Sequence, residues 1–323
     1  MEKKRILFIG VGFHEYDDYI ISHLEKQHDV WYVNSIKFRQ DHPYFMMIAK
    51  RFLPSQLMER IDNNTSKFIE KTKHFNFDIV FVITGANLTD KHIEDLKRYH
   101  KNARFVLYLW DSWNRSVINR DFLSKNFTNI YSFDPLDCEK YGFKHRPLFY
   151  IDKNSDITKD IDVCFVGGQH TRRLENIAKI RDMCKKHGLS WNFVVVMRIS
   201  AYIKMTIKSY KLMKEVRDMI SFKYVSYNEY LKILRRSKVV IDIHNTMQTG
   251  LTMRTIEALS VGTKIVTTNE NIQRYANIPK FMYYVWNMEI EDSLFSFINT
   301  PVDADYKIDP FFSIDYFLGE VLS

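Results

Sequence analysis

The stretch RILFIGVG, residues 5–12, is an apolar run that ends in two glycines, which is typical of a buried strand followed by a tight turn. Residues 17–27, DDYIISHLEKQ, follow with helical spacing, and residues 29–34, DVWYVN, form a second strand-like run. A strand, a helix and a second strand in this order predict a β-α-β unit and therefore a parallel sheet.

The same alternation continues along the chain and starts again after the polar stretch 151–161, IDKNSDITKDI, which we interpret as a linker. The further strand-like runs include FDIVFVITG (77–85), ARFVLYLWD (103–111), HRPLFY (145–150), DVCFVGG (162–168), SWNFVVVM (190–197) and KVVIDIH (238–244). The sequence therefore predicts the α/β class, with two Rossmann-like, doubly wound domains at 1–155 and 156–310 and a closing helix within 311–323. Two such domains are expected to face a central cleft, because ligands of open α/β sheets bind at the carboxyl ends of the strands.

The charge of the chain favours an anionic partner. The net charge is +8 and the pI about 9.1, which suits nucleotide phosphates, anionic lipid or nucleic acid, although an excess of lysine also serves solubility alone. The three cysteines, Cys138, Cys164 and Cys184, are far apart, which argues against a disulfide framework or a zinc site and indicates a reducing compartment. No apolar run approaches the roughly 20 residues that span a bilayer.

The first candidate site is the turn GVGFHEY at 10–16. A Gly-x-Gly after the first strand is typical of dinucleotide binding, but Glu15 occupies the third glycine position and Asn34 ends the second strand, so NAD is disfavoured. The turn is either a purely structural connection or a substrate-facing loop in which Gly12 and His14 reach the cleft. In the second case His14 could act as a general base.

The second candidate site is LYLWDSWNR at 107–115. Asp111 follows an apolar run and is predicted at the carboxyl end of a strand, with Trp110 and Trp113 on either side. It suits a general base or a hydroxyl-binding residue, and equally a turn or helix N-cap.

The third candidate site is VGGQHTRR at 166–173. Gly167 and Gly168 expose backbone N–H groups before a helix, which suits a phosphate. Arg172 and Arg173 lie at the start of that helix, where cations are unfavourable unless an anion binds. Arg198, which follows the next strand, could add a second cation at the same edge.

The fourth candidate site is MQTGLTMRTIEAL at 247–259. Thr249 or Thr252 can cap the helix, and Met253, Ile256 and Leu259 recur at three-residue spacing and are predicted to face the core. Arg254 and Glu257 share another face, where they form either a weak surface pair or a site for a pyrophosphate and a ribose.

These motifs together resemble GT-B glycosyltransferases. The pattern Q-x-G-L-T-M-R-T-I-E-A-L…G-x-K-I-V-T-T-N at 248–269 is similar to a bacterial branch associated with capsular, exopolysaccharide or lipopolysaccharide synthesis and distantly related to spore-maturation glycosyltransferases. LYLWDS, FDPLDCEKYG, RPLFY and DVCFVGG also fit that branch, so the resemblance covers nearly the whole chain. It implies a UDP- or GDP-sugar donor on the second domain, a glycan or lipid-linked acceptor on the first, and a closing helix that packs back on the first domain.

The resemblance also implies roles for individual residues. Glu257 would bind the ribose hydroxyls of the donor, and Tyr227 would lie at its base. Arg254 would lie near phosphate, and Gly12 and Trp110 would lie on the acceptor side. The diphosphate would contact the remaining donor-site residues: Gly250, Leu251, Thr252, Gly167, Gly168, Arg172 and Arg198.

One departure from the family pattern leaves the stereochemistry open. Many retaining members carry a glutamate eight positions before the one at Glu257, but here that position is Thr249. An inverting enzyme needs a base for the acceptor hydroxyl, for which Asp111 or His14 would serve. No metal or other cofactor is expected, because cationic side chains and helix N-termini can stabilise the leaving diphosphate.

Two basic, apolar stretches predict peripheral contact with a membrane. Residues 198–219 are expected to form one amphipathic helix, and residues 42–60 form a second such stretch. The helix would carry four spaced lysines among apolar residues: Lys204, Lys208, Lys211 and Lys214 among Tyr202, Met205, Met213 and Val216. Both stretches are equally compatible with ordinary surface helices. We expect a cytoplasmic protein with no nucleic-acid partner, and the two basic stretches are compatible with a location at the inner face of the plasma membrane. The sequence is also compatible with a homo-oligomer.

Two other functions are compatible with tandem Rossmann domains. One is a nucleotide-sugar epimerase or dehydrogenase, which Glu15 and Asn34 disfavour as far as NAD is concerned. The other is a non-catalytic nucleotide- or glycan-binding protein, which the threonine at 249 leaves open.

Overall fold

A computed structural model of the chain describes residues 2–12, 15–35, 54–85, 87–113, 125–151, 157–169, 173–290 and 292–323. The chain divides into two compact units. The first contains Met1–Leu148, Met247–Gly250 and Ile314–Ser323, and the second contains Phe149–Thr246 and Leu251–Ser313.

The first unit is built on a parallel sheet covered by helices. Its elements are β1 (Arg5–Gly10), α1 (Tyr16–Leu24), β2 (Asp29–Asn34), α2 (Pro54–Thr72), β3 (Ile79–Ile83), α3 (Asp90–Tyr99), β4 (Arg104–Leu109), β5 (Asn129–Ser132), α4 (Pro135–Tyr141), β6 (Lys144–His145) and, at the end of the chain, α11 (Ile314–Val321). The strand order is β2-β1-β3-β4-β5-β6. The central strands are buried along their length, as in a sheet covered on both faces.

Two helices of this unit, α3 and α11, show how a local cap and a tertiary contact fix its elements. Thr89 is the N-cap of α3, and its hydroxyl accepts a hydrogen bond from the backbone N–H of His92. The last helix, α11, packs on the first unit through Phe317, whose ring lies edge-on to that of Tyr108 at 4.7 Å. The N- and C-terminal parts of the sequence therefore share one core.

The second unit is a second parallel sheet of six strands. Its elements are β7 (Ile161–Gly168), α5 (Arg173–His187), β8 (Trp191–Val196), α6 (Ile199–Lys208), α7 (Tyr210–Glu215), β9 (Ile220–Ser221), α8 (Tyr227–Arg235), β10 (Ser237–Asp242), α9 (Met253–Ser260), β11 (Lys264–Thr267), β12 (Tyr283–Val285) and α10 (Asp292–Asn299). The strand order is β12-β11-β10-β7-β8-β9. The predicted α/β class, with two doubly wound Rossmann-like units, is confirmed.

This strand order identifies the point in the second unit where a ligand is expected. From β7 the chain moves outward through β8 to β9, and from β10 it moves the opposite way through β11 to β12. The adjacent strands β7 and β10, paired through Val239 with Val163 and Val240 with Cys164, therefore form the topological switch point. Ligands of doubly wound sheets bind beyond the carboxyl ends of these two strands.

Two predicted elements differ in the structure. The stretch 145–150 is not one strand: β6 ends at His145, before Pro147, and Tyr150 makes only an isolated bridge to Ser313. A proline cannot donate to the ladder, which explains the early end. The predicted helix over 198–219 is two helices, because Ser209 has φ −148° and ψ 64° and interrupts the helical backbone between α6 and α7.

Across the described part of the chain, none of the helices combines the length and the apolar composition needed to cross a bilayer.

Lys264 links the second sheet to the end of α10. Its side chain is 1% exposed, and its ammonium group donates to the backbone carbonyls of Phe297, Ile298 and Thr300. Lys264→Met should lower the free energy of unfolding in urea by about 2–4 kcal/mol, because the carbonyls at this helix end lose their donor. Lys238→Met is the control, since Lys238 is half exposed and its pair with Asp162 should contribute about 1 kcal/mol or less. Equal losses in the two variants would contradict this role of Lys264.

Candidate functional site

Asp242, the last residue of β10, is the acceptor around which the end of this strand is organised. Its side chain is 1% exposed. One carboxylate oxygen accepts from Arg254 Nη1 at 2.6 Å, and the other accepts from the hydroxyls of Thr252 at 3.2 Å and Thr255 at 3.1 Å. Asp242 therefore ties the end of β10 to the first turn of α9.

The arginine near the start of α9 is held from two sides. Besides Asp242, the guanidinium of Arg254 donates through Nη2 to the carbonyl of Val166 at 2.9 Å. It also lies over the ring of Phe165, 5.3 Å from the centroid. Arg254 thus forms an ion pair with Asp242, on a neighbouring strand, which the spacing of Arg254 and Glu257 along the helix did not indicate.

A second arginine, which is buried, lies near the same ring. Arg173, the first residue of α5, donates through Nη1 to the carbonyl of Gly168 and through Nη2 to that of Ile243, both at 2.6 Å. Its guanidinium lies 5.5 Å from the centroid of Phe165. Burial, together with the charge of Arg254, lowers the pKa of Arg173 to about 9. The carbonyls offset part of the unfavourable position of a cation at a helix N-terminus.

We call Arg173, Arg254, Asp242 and Phe165 the arginine cluster. It contains two guanidinium groups and one carboxylate, and it lies at the carboxyl ends of β7 and β10 and at the N-termini of α5 and α9. In addition, Nε of Arg173 and Nε of Arg254 are buried and have no hydrogen-bond acceptor among the described residues. The cluster therefore has an excess of positive charge and of donors.

The two glycines at the end of β7 have different environments. A Cβ on Gly167 would lie 2.8 Å from Arg254 Nη2 and 3.1 Å from the ring of Phe165, so the cluster leaves room only for glycine. A Cβ on Gly168 would meet no atom closer than 4.0 Å, and its carbonyl accepts from Arg173.

Helix α9 begins as the sequence predicts. Thr252 is its N-cap and accepts from the backbone N–H of Thr255 at 3.3 Å. Ile256 and Leu259 are buried, as expected, whereas Met253, the first residue of the helix, is only partly buried. Leu251 before the helix is buried as well. Gly250 belongs to the first unit, where a Cβ would overlap the ring and the carbonyl of Phe133.

Glu257 lies on the buried side of α9, with a side chain that is 2% exposed. Burial, followed by the charge of Glu257, raises the pKa of Tyr230 well above its usual value, so the phenol and the carboxylate are near one another. The Tyr230 hydroxyl has no hydrogen-bond partner among the described residues. Tyr227, the first residue of α8, is also buried, with its ring 6.4 Å from that of Tyr230. Sequence reasoning named Tyr227 and missed Tyr230.

Arg198 is separate from these buried groups. It is exposed and precedes α6 as its N-cap residue, without a side-chain capping bond. Arg172 and His14 lie outside the described residues.

In the first unit, Asp111 lies just beyond β4 and accepts a hydrogen bond from Gln248 Nε2 at 2.8 Å. The ring of Trp110 meets that of Tyr16 edge-on at 6.0 Å. Gly12 has φ +63°, and its N–H donates to Asp17 at 2.7 Å. A side chain at Gly12 would overlap Asn34, so packing alone requires a glycine at this position, whatever its predicted role on the acceptor side.

Asp134 accepts the hydrogen bonds that hold the segment 247–250 in place. The sequence patterns did not identify it as a site residue. Its buried carboxylate accepts from the backbone N–H of Thr249 at 2.8 Å, from the Thr249 hydroxyl and from Ser112 Oγ at 2.7 Å. It also caps α4, accepting from the N–H of Leu136. The Asp-Pro pair, with Asp134 as N-cap and Pro135 as the first residue of α4, is the signal that could have identified the cap, but not the bonds to Thr249.

Asp134→Asn should release the segment 247–250, because an amide group replaces one of the two acceptor oxygens. We expect the backbone amide of Thr249 to exchange with deuterium about 30-fold faster, the equivalent of about 2 kcal/mol. Asp137→Asn is the control, because this buried carboxylate accepts from the backbone N–H of Trp113 instead. Equal exchange at Thr249 in wild type and Asp134→Asn would contradict this assignment.

The pH dependence of this contact follows from the same bonds. Burial alone would raise the pKa of Asp134, but the hydrogen bonds from Thr249 and Ser112 outweigh it and hold the pKa below 3.8. Because the pKa is lower in the folded than in the unfolded protein, the contribution of Asp134 to stability is complete above about pH 4 and is lost as the pH falls further.

Within the described ranges, no three or more His, Cys, Asp or Glu side chains are grouped so as to hold a metal ion.

No family model and no curated protein matches this sequence. Solved structures do match. An alpha-glucosyltransferase in complex with UDP and a 13-mer DNA is 16% identical, with a TM-score of 0.58, over 99% of this chain and 100% of that one. A glycosyltransferase from Rickettsia africae is 13% identical, with a TM-score of 0.59, over 100% and 97%. The UDP-GlcNAc 2-epimerase of Methanocaldococcus jannaschii, in complex with UDP-GlcNAc and UDP, is 12% identical, with a TM-score of 0.55, over 99% of each chain.

At these identities the likeness concerns the fold. The chain has the GT-B fold, in which each of two Rossmann-like units contains a parallel sheet of six strands.

Proposed function

We propose that the protein is a glycosyltransferase that moves a sugar from a UDP- or GDP-sugar to a glycan or lipid-linked acceptor in the synthesis of a bacterial surface polysaccharide. The observation that carries this proposal is the arginine cluster at the switch point of the second sheet. Two largely buried guanidinium groups lie there with one carboxylate nearby: Asp242 pairs with Arg254, and its charge also acts on Arg173, next to the N-termini of two helices. Such a site favours an anion with several charges, and a diphosphate is the anion that nucleotide sugars carry.

In the proposed site, the cluster stabilises the negative charge that develops on the leaving diphosphate, so that no metal is required. The backbone N–H groups of Gly250, Leu251 and Thr252 and of Gly167 and Gly168 approach the diphosphate, and Arg172 and Arg198 add charge at its edge. Glu257 accepts hydrogen bonds from the ribose hydroxyls, with Tyr227 towards the base.

On the acceptor side we propose Asp111 or His14 as the base that removes the proton of the attacking hydroxyl, with Gly12 and Trp110 near the acceptor. Asp111 is already oriented by Gln248. Because Thr249 stands eight residues before Glu257, we assign neither inversion nor retention of the anomeric centre.

A second function is favoured by one finding: UDP-GlcNAc 2-epimerases are among the structures with the same fold. An epimerase would use the same donor site but would invert a carbon of the sugar without an acceptor. The two functions therefore differ in their products and not in their nucleotide.

The first test is a thermal-shift panel with UDP, GDP, CMP and NAD, because a ligand that binds only the folded protein raises the midpoint. We expect UDP or GDP to raise it and CMP and NAD to leave it unchanged. Stabilisation by NAD alone would overturn the proposal.

The second test incubates the protein with the matching nucleotide sugar and candidate acceptors. Release of the nucleoside diphosphate with sugar on the acceptor supports transfer, whereas a new nucleotide sugar without release supports epimerisation.

A further inference from the structure

The helix α6 is apolar on two sides, and among the described residues only one of these sides packs against the core. Tyr202 and Met205 pack against the core of the second unit, and Met213 and Val216 farther along are fully buried in it. The apolar residues that the sequence assigned to a membrane-facing side therefore face the core instead. Their packing already fixes α6 and α7 on the unit.

A different set of apolar side chains points outwards. Ile199, Ile203 and Ile207 follow one another at four-residue intervals, and they are 62%, 53% and 83% exposed. Tyr210, at the start of α7, is 67% exposed. We call these four residues the isoleucine stripe. Single exposed apolar residues are common on protein surfaces, but a continuous row along one helix is typical of an interaction surface.

The stripe is bordered by positive charge. Lys204 and Lys208 each follow an isoleucine of the stripe by one position, about 100° around the helix. Lys211 and Lys214 continue along α7, and within the described residues none of the four lysines is paired with a carboxylate. Residues 198–224 contain seven basic and two acidic residues, a net charge of +5 out of +8 for the whole chain.

We propose that the isoleucine stripe and its lysines dock on an anionic lipid bilayer, with α6 lying along the interface. A helix with bulky apolar residues on one face and lysines beside them is the form that inserts between lipid headgroups. The isoleucines would enter the acyl boundary, and the lysine ammonium groups would contact lipid phosphates.

The charge argues against two other occupants. In a symmetric dimer the same patch would face itself, and two patches of net charge +5 would repel one another. A nucleic acid would pair with the lysines but would leave the isoleucines without a partner, because it is bound mainly through its phosphates. The proposal concerns the surface of α6 and α7 and stands whether or not the donor site is correctly assigned.

The test is flotation of the full-length protein with vesicles. We expect binding to phosphatidylcholine vesicles that contain about 30% phosphatidylglycerol, no binding to pure phosphatidylcholine, and weaker binding at about 1 M salt. Ile203→Gln with Ile207→Gln should reduce binding at least about tenfold, while the helix persists because glutamine is a good helix former. Ile290→Gln, at an exposed isoleucine outside the stripe, is the matched control.

The lysines are tested separately. Lys204→Gln, Lys208→Gln and Lys211→Gln together should reduce both binding and its salt dependence, whereas glutamine at the exposed Lys26, Lys71 and Lys101 should change neither. Unchanged urea unfolding in each variant shows that the fold is intact. Absence of wild-type flotation, or full flotation of the double isoleucine variant, overturns the proposal. So does a self-association, or capture of an acidic protein, that depends on the isoleucines while vesicles are ignored.

Discussion

Asp242→Asn is expected to lower the free energy of unfolding of the second unit by about 3–5 kcal/mol, because it leaves buried cations without their carboxylate. Asn keeps the shape of the side chain and can still accept from the two threonine hydroxyls, so the loss comes mainly from charge. Arg254 loses its ion pair, and Arg173 loses the nearby negative charge of Asp242, which raises its pKa. Urea unfolding can be followed by the fluorescence of Trp191 and Trp286, which both belong to this unit.

The matched control is Asp160→Asn. Asp160 also pairs with an arginine, Arg236, in the same unit, but both side chains are about half exposed. Water screens this pair, so its loss should be far smaller than that of Asp242. The double variant Asp242→Asn with Arg254→Met should recover part of the stability, because it removes a cation along with its partner. Similar losses at Asp160 and Asp242, or no recovery in the double variant, would show that the cluster is not held together by charge.

The sequence predicts those features of this fold that depend on neighbours along the chain. Apolar runs that alternate with helical periods predict both parallel sheets, and single residues predict where helices begin, as Thr89 and Thr252 do. These signals act over three or four residues. They can therefore be recognised in the sequence without any knowledge of the tertiary contacts.

The candidate site is harder to predict from the sequence because the residues that contact one another there are distant along the chain. Arg254 contacts Asp242, 12 positions away, and Val166, 88 positions away, whereas spacing alone suggests Glu257. Asp134 and Thr249 are 115 positions apart. Likewise, the helical period shows that the segment of α6 is amphipathic, but it does not show which of the two apolar faces packs against the core. In the structure Tyr202 and Met205 pack against the core, and the isoleucines are exposed.

Glu257→Gln is expected to weaken UDP binding by about 10- to 100-fold if the donor ribose lies where we propose. A carboxylate accepts from both vicinal hydroxyls with charge assistance worth about 1.5–3 kcal/mol, whereas an amide has one acceptor oxygen and presents an N–H to the second hydroxyl. Glutamine matches the volume of this buried side chain, so the fold should persist. Titration calorimetry with UDP measures the effect, with GDP as the alternative if the thermal-shift panel selects it.

A ligand without the two hydroxyls separates a ribose contact from a general loss of structure. With 2′,3′-dideoxy-UDP, wild type and Glu257→Gln should bind with nearly the same affinity, because the group that Glu257 would recognise is absent from the ligand. Glu289→Gln, at an exposed glutamate of the same unit, should bind both ligands as wild type does. If Glu257→Gln weakens the two ligands equally, Glu257 supports the site through its buried neighbours, Tyr230 among them, and does not bind the ribose. If it weakens neither, the donor does not lie against this face of α9, and the arginine cluster would then have to bind its anion without α9 contributing a ribose contact.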